Sequence, residues 1–133
     1  MTGGPLRLVA LPGDGIGPEI TAATLRVLDA TAQALRLQVS VDTHEVGLTR
    51  LARDGTTFPA SVLDACRAAD GIFLGPVSHS DYPTRDKGGI NVSGELRIQL
   101  DLYANLRPSR SRAALPHYGR TAMDLLIVRE NTE

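Results

Sequence analysis

At 133 residues, with 42% hydrophobic and 22% charged side chains, the chain has the composition of one soluble globular domain with material for a modest core. A formal net charge of −1 gives no electrostatic reason to expect nucleic acid or an anionic membrane as partner. Cys66 stands alone, which excludes an internal disulfide, a cysteine zinc site and a redox pair, and only Met1 to Pro5 precede the first apolar run, without the leader that secretion requires, so a cytoplasmic protein is expected.

Leu6 to Leu11 is an apolar run of strand length. It runs into LPGDGIGPE, a turn with glycines at 13, 15 and 17 that opens a helix expected over Pro18 to Leu35. Pro18 suits a first helical position, Glu19 favours the positive end of the helix dipole, and Ile20, Ala23, Val27, Ala30 and Ala34 recur on one face. The glycine turn is not the dinucleotide-binding fingerprint. That pattern needs a glycine where Pro18 stands, because the helix there packs too closely on the strand for a side chain, and Asp42 in the place of a ribose-binding acid does not repair it.

A second strand is expected over Leu37 to Glu45, with Val39 and Val41 facing one way. A short helix or turn follows from Gly47 to Asp54, closed by Gly55. Pro59 to Ala69 reads as a helix whose Val62, Leu63, Cys66 and Ala69 pack inward, and Ile72 to Val77 as a strand. Ser78 to Val92 is polar and punctuated by Pro83, Gly88 and Gly89, so it is a long loop of the sort that carries function. Ser93 to Leu100 is helical in pattern, and Leu102 to Leu106 and Leu125 to Val128 are strand-like. Strand and helix in alternation imply a parallel sheet covered on both faces. No internal repeat or low-complexity tract interrupts the pattern.

Three arginines are candidates for anion binding. Arg97 lies on the helix after the long loop, whereas Arg107 ends the next expected strand and Arg129 the last one, where α/β sheets place their ligands. An arginine fork matches a carboxylate in bidentate fashion, each charge-assisted contact being worth roughly 1.5–3 kcal/mol. Any one of them alone is more ordinarily a solvated or salt-bridged surface residue. His79, in the long loop, reads as a solvated histidine rather than an acid or base.

LPGDGIGPE at Leu11 to Glu19, LRIQLDLYANLRP at Leu96 to Pro108 and LIVRENTE at Leu126 to Glu133 together resemble the isocitrate and isopropylmalate dehydrogenase family of β-decarboxylating dehydrogenases. The resemblance implies an α/β, isopropylmalate dehydrogenase-like fold, a mostly parallel sheet flanked by helices and here incomplete. Residues 1–103 would belong to the large cofactor and substrate domain, and 104–133 would begin the second, smaller domain.

It also implies an activity: NAD- or NADP-dependent, Mg2+- or Mn2+-dependent oxidative decarboxylation of a 2-hydroxy acid, a small-molecule carboxylate, by a homo-oligomer. Position by position, Arg97, Arg107 and Arg129 would grip the carboxylates that remain, with Asn91 and Ser93 beside them. Ile16 on the glycine turn, and Gly75, Pro76, Val77 and Ile90 on the segment from Gly75 to Ile90, would line the cofactor cleft. The tyrosine and lysine that move protons and the aspartates that bind metal are expected beyond Glu133, so no catalytic residue and no metal ligand is expected in this chain.

Substrate choice turns on the residues before Arg97. The resemblance implies an apolar side chain one helical turn earlier in isopropylmalate enzymes; here Ser93 is in that place and Asn91 two positions before it, so polar groups are available for the further carboxylate of an isocitrate-like acid. RENTE at the end likewise resembles isocitrate, homoisocitrate and tartrate enzymes more than isopropylmalate ones. Ser93 is equally suited to capping the helix, and both roles can coexist. The chain is thus expected to be the amino-terminal part of such an enzyme, the alternative being a non-catalytic remnant that binds a small anion or associates with a full-length relative.

Overall fold

The computed structural model describes residues 4–116, 119 and 121–130, and the elements run β1 (Leu6–Leu11), α1 (Gly17–Leu35), β2 (Val39–Thr43), α2 (Leu48–Asp54), α3 (Ala60–Ala68), β3 (Gly71–Leu74), α4 (Val92–Gln99), β4 (Ala104–Arg110) and β5 (Asp124–Glu130). The chain divides into two compact units, Met1–Glu95 and Leu96–Glu133.

In the first unit β1 lies between β2 and β3 in a parallel sheet, with Leu8 opposite Val41 on one side and Gly71 on the other. Parallel neighbours need a crossover, supplied by α1 from β1 to β2 and by α2 and α3 from β2 to β3. The core collects at the carboxyl end of β1, where Val9, Ala10 and Leu11 are buried along with Val46, Phe58, Val62 and Cys66. Each fully buried aliphatic side chain of this kind contributes roughly 1.5–3 kcal/mol. Burial pushes the Cys66 thiol up, as suits an inert packing residue. The inward face expected for α3 is found for Val62 and Cys66, which are buried, and Leu63, which is half-buried, whereas Ala69 lies half-buried just past the end of the helix in an extended conformation.

Helix α1 departs from expectation. Its buried residues are Gly17, Thr21 and Ala32, with Leu25 and Leu28 half-buried, whereas Ile20, Val27, Ala30 and Ala34 are exposed and Ala23 is only half-buried. The helix is alanine-rich, so apolar residues fall on more than one face and periodicity alone does not choose between them. Close approach does. A Cβ at Gly17 would land on the Pro12 carbonyl, and Thr21 Oγ1 lies 3.0 Å from the place a Cβ on Gly75 would occupy, so small residues go inward at this end. The helix ends at Arg36, which turns left-handed at φ 54 and donates its N–H to the Ala32 and Gln33 carbonyls.

Strand β3 stops at Leu74 rather than continuing to Val77. The Gly75 N–H makes one more bond, 2.8 Å to the Leu11 carbonyl, and Pro76 then has no N–H with which to continue.

In the second unit β4 and β5 pair antiparallel, from Ala104↔Glu130 to Arg110↔Asp124. The expectation of one parallel sheet therefore fails for these two strands. Among the described residues no helix separates them, and without a crossover helix the chain turns back on itself. Every residue of β5 is exposed.

Candidate functional site

The glycine turn between β1 and α1 lies against the segment that follows β3. The Asp14 N–H donates to the Pro76 carbonyl at 2.7 Å, Gly13 adopts φ 76 where a Cβ would strike the same carbonyl, and that Cβ would sit 3.3 Å from Val77. Ile16, Gly75, Pro76 and Val77 are thereby brought onto two adjoining loops at the carboxyl ends of neighbouring parallel strands, with Ile16 66% exposed. Ile90 is engaged elsewhere. Its N–H donates to Thr57 Oγ1 at 2.7 Å, and the Thr57 hydroxyl donates to its carbonyl at 2.8 Å.

Asp14 joins these loops. It is 7% exposed, its Oδ1 accepts the Leu48 N–H at 2.7 Å, and its Oδ2 accepts the Ser78 N–H at 2.9 Å and the Tyr82 hydroxyl. Gly47, at φ 86, leaves the space the carboxylate fills, since a Cβ there would land on it. Burial first, and the carboxylate beside it second, push the Tyr82 phenol well above its ordinary range, so it stays a donor at neutral pH.

Asn91 precedes α4 and caps it: its Oδ1 accepts the Gly94 N–H at 3.2 Å and the Ser93 hydroxyl at 3.1 Å. The expectation that Ser93 is suited to capping the helix is corrected, because Ser93 lies inside the helix, four residues and one turn before Arg97. Glu95 on the same helix forms a fork with Arg85 of the long loop, at 2.9 and 3.3 Å. His79 lies exposed in a single turn of 3-10 helix, as a solvated loop histidine would.

Arg107 is in the middle of β4 and Arg129 is near the end of β5, so neither stands at the end of a parallel strand as expected. Antiparallel register nevertheless unites them. Arg107 is opposite Ile127 and Arg129 opposite Asn105, which places both arginines on one face of the ribbon, diagonally, at roughly 7–8 Å. Arg107 Nε donates to Asn105 Oδ1 at 3.1 Å, which steadies the guanidinium. Arg97 is half-buried on α4, in the same compact unit.

These loops fit a nicotinamide cofactor only as an apolar contact surface. At the start of α1 the Gly17 N–H is spent on the Asp14 carbonyl at 2.8 Å, Pro18 has no N–H, and the Ile20 N–H goes to the Ile16 carbonyl at 3.1 Å, so three of the first four positions have nothing to offer a phosphate. Glu19 adds a negative charge in that turn. A divalent metal is not fitted by the described residues, among which no three His, Cys, Asp or Glu side chains are grouped to hold one.

Residues 7–133 match isocitrate/isopropylmalate dehydrogenase as a family. The chain belongs to that family. Among curated relatives, the 3-isopropylmalate dehydrogenase of Methylococcus capsulatus is 38% identical over 138 residues, covering 96% of this chain and 38% of the relative. That of Mycobacterium avium is 37% identical over 133 residues, covering 96% and 37%. Among solved structures, isocitrate dehydrogenase from Methylococcus capsulatus superposes with a TM-score of 0.78 at 37% identity, over 96% of this chain and 35% of that one. A β-decarboxylating dehydrogenase from Thermococcus kodakarensis gives 0.70 at 32%, over 96% and 34%.

The chain thus spans about 38% of the length of the curated 3-isopropylmalate dehydrogenases it matches. The names of these relatives go against the expected preference for isocitrate-like acids, which rested on Ser93, Asn91 and the RENTE ending, whose last three residues lie outside the described ones. No helix among the described residues is long and apolar enough to cross a membrane.

Asp14, Tyr82 and Thr57 are the residues sequence reasoning passed over. An aspartate between two glycines at the end of a buried strand was the one available signal, and its partners lie 34, 64 and 68 positions away. Thr57 gave no signal at all.

Proposed function

We propose that this chain carries the nicotinamide-side loops and the carboxylate clamp of an NAD(P)-dependent oxidative decarboxylase of a 2-hydroxy acid, 3-isopropylmalate being the first choice of substrate. The observation that carries the reading is the pair Arg107 and Arg129 on one ribbon face, in a chain of this family. When bound, the nicotinamide supplies the hydride acceptor. The chain's own part is to bind and orient: Arg107, Arg129 and Arg97 hold the carboxylates that stay behind, and fixed positive charge near the developing enolate lowers its energy. Ile16, Gly75, Pro76, Val77 and Ile90 are assigned to the cofactor side and Asn91 and Ser93 to the substrate side, with 1–103 in the large domain and 104–133 beginning the smaller one.

The relatives' names support 3-isopropylmalate. A second reading, an isocitrate-like acid, is favoured by the polar pair Asn91 and Ser93 before Arg97. The active form is expected to be a cytoplasmic homo-oligomer using Mg2+ or Mn2+, and the 133 residues by themselves are not expected to turn over substrate.

The test is a titration of the purified chain with 3-isopropylmalate and with isocitrate, read at the arginine side-chain resonances. Either acid should move Arg107 and Arg129 together, and Arg107→Gln should abolish the response. Response at neither arginine, with shifts elsewhere, overturns the clamp; NAD or NADP reduction by the chain overturns its inactivity.

A further inference from the structure

Asp14 is a buried carboxylate whose recorded partners are all neutral donors: the Leu48 N–H at 2.7 Å, the Ser78 N–H at 2.9 Å and the Tyr82 hydroxyl. Buried charge is tolerated only when it is thoroughly hydrogen-bonded, and removing one partner leaves the rest exposed to the full desolvation cost. Asp14 also uses both backbone groups, its N–H on Pro76 and its carbonyl on Gly17, so a single residue is tied to four other places in the chain. Those places are the start of α1, the first residue of α2, the segment after β3 at Pro76 and Ser78, and Tyr82 just past the 3-10 turn.

Val9, Ala10 and Leu11 form the apolar core at the carboxyl end of β1, and the Asp14 carboxylate joins the loops beyond it. What Asp14 adds is a fixed relation between the loop bearing Ile16 and the loop bearing Gly75 to Val77. Tyr82 extends the tie into the long loop, whose far end is held by Thr57 to Gly88 and Ile90.

We propose that Asp14, with Tyr82 as its side-chain donor, is a positioning residue for the nicotinamide cofactor: it locks the Ile16 loop to the Gly75–Val77 loop so that both meet the cofactor in one arrangement. This rests on the assignment of those two loops to the cofactor side. Preorganised loops bind without ordering themselves first, so loosening them weakens cofactor binding and leaves the sheet intact.

The experiment compares the 133-residue chain with its Asp14→Asn and Tyr82→Phe variants by amide hydrogen exchange and by NMR titration with NAD+ and NADP+. In Asp14→Asn, the Leu48 and Ser78 amides should exchange about tenfold faster while Val9, Ala10 and Leu11 keep their rates. Methyl shifts of Ile16 and Val77 on adding dinucleotide should then need about tenfold more ligand. Tyr82→Phe, which preserves the packing, should give a smaller change of the same kind and decides the matter if Asp14→Asn does not fold. Unchanged Leu48 and Ser78 exchange overturns the proposal, as does acceleration of the β1 amides by the same factor, or loosened loops with unaltered cofactor affinity. No methyl shift in the unsubstituted chain overturns the assignment of these loops to the cofactor, and with it the cofactor role of Asp14, while the exchange data still show whether Asp14 locks the loops.

Discussion

The Tyr82 hydroxyl donates to Oδ2 of Asp14, 68 positions earlier in the chain, and the phenol is pushed up by burial and by that carboxylate. A group whose folded pKa lies above its unfolded value contributes stability that is complete below the unfolded value, about 10 for tyrosine, and is lost as pH rises through the folded value. At neutral pH, Tyr82→Phe should cost about 1.5 kcal/mol, the worth of a hydrogen bond to a charged acceptor. Above about pH 10 the gap between the two proteins should narrow. Urea unfolding across pH 7 to 11 checks this, and a constant gap would show that the bond does not couple to phenol ionisation.

Gly55, at the end of α2, and Gly88, in the long loop that approaches it, should respond differently to the same substitution. Gly55 and Gly88 both have positive φ, at 73 and 87, but a Cβ on Gly55 meets open space whereas one on Gly88 lands on the Gly55 carbonyl. Gly55→Ala should cost about 1–2 kcal/mol, the strain of a left-handed alanine. Gly88→Ala carries that strain plus a backbone displacement, so it should cost about 3 kcal/mol or more. Denaturant midpoints of the two variants decide whether the approach of Gly88 to the Gly55 backbone is as unyielding as the geometry requires.

Asn91 caps α4 and Ser93 only leans on it, so the two can be separated experimentally. In an enzyme completed to family length, Ser93→Leu should leave the helix in place and shift the ratio of kcat/KM for 3-isopropylmalate over isocitrate upward by roughly 5- to 150-fold, the equivalent of 1–3 kcal/mol. Asn91→Ala, by contrast, should lower stability by about 1 kcal/mol. Equal effects of Ser93→Leu on both substrates would remove Ser93 from the specificity determinants.

The β4–β5 ribbon should be the labile part of the chain. A two-stranded ribbon is marginal by itself, and Leu106, Leu126 and Val128 are about 60% exposed on one of its faces. Amides of Ala104–Arg110 and Asp124–Glu130 should therefore exchange faster than those of Val9 to Leu11, and the exposed apolar face should make the chain associate as concentration rises. Exchange mass spectrometry with sedimentation tests both; a monodisperse chain with a ribbon as protected as β1 would show that the ribbon is self-sufficient.

Whatever depends on neighbours along the chain was legible in the sequence. Gly13 and Gly15 announce left-handed turns and adopt φ 76 and 59, Pro18 opens α1, Gly55 closes α2, and the spacing of Val62, Leu63 and Cys66 sets the inner face of α3. These are steric and hydrogen-bonding constraints within a few residues. Whatever depends on residues meeting across the chain was decided by the tertiary structure. The inner face of α1 was chosen by the close approach of Gly17 and Thr21 to the Pro12 and Gly75 backbone, the direction of β5 by its pairing with β4, and the role of Asp14 by donors that folding delivers from positions 48, 78 and 82. A buried carboxylate is costly until its partners arrive, and nothing local to Asp14 says which they are.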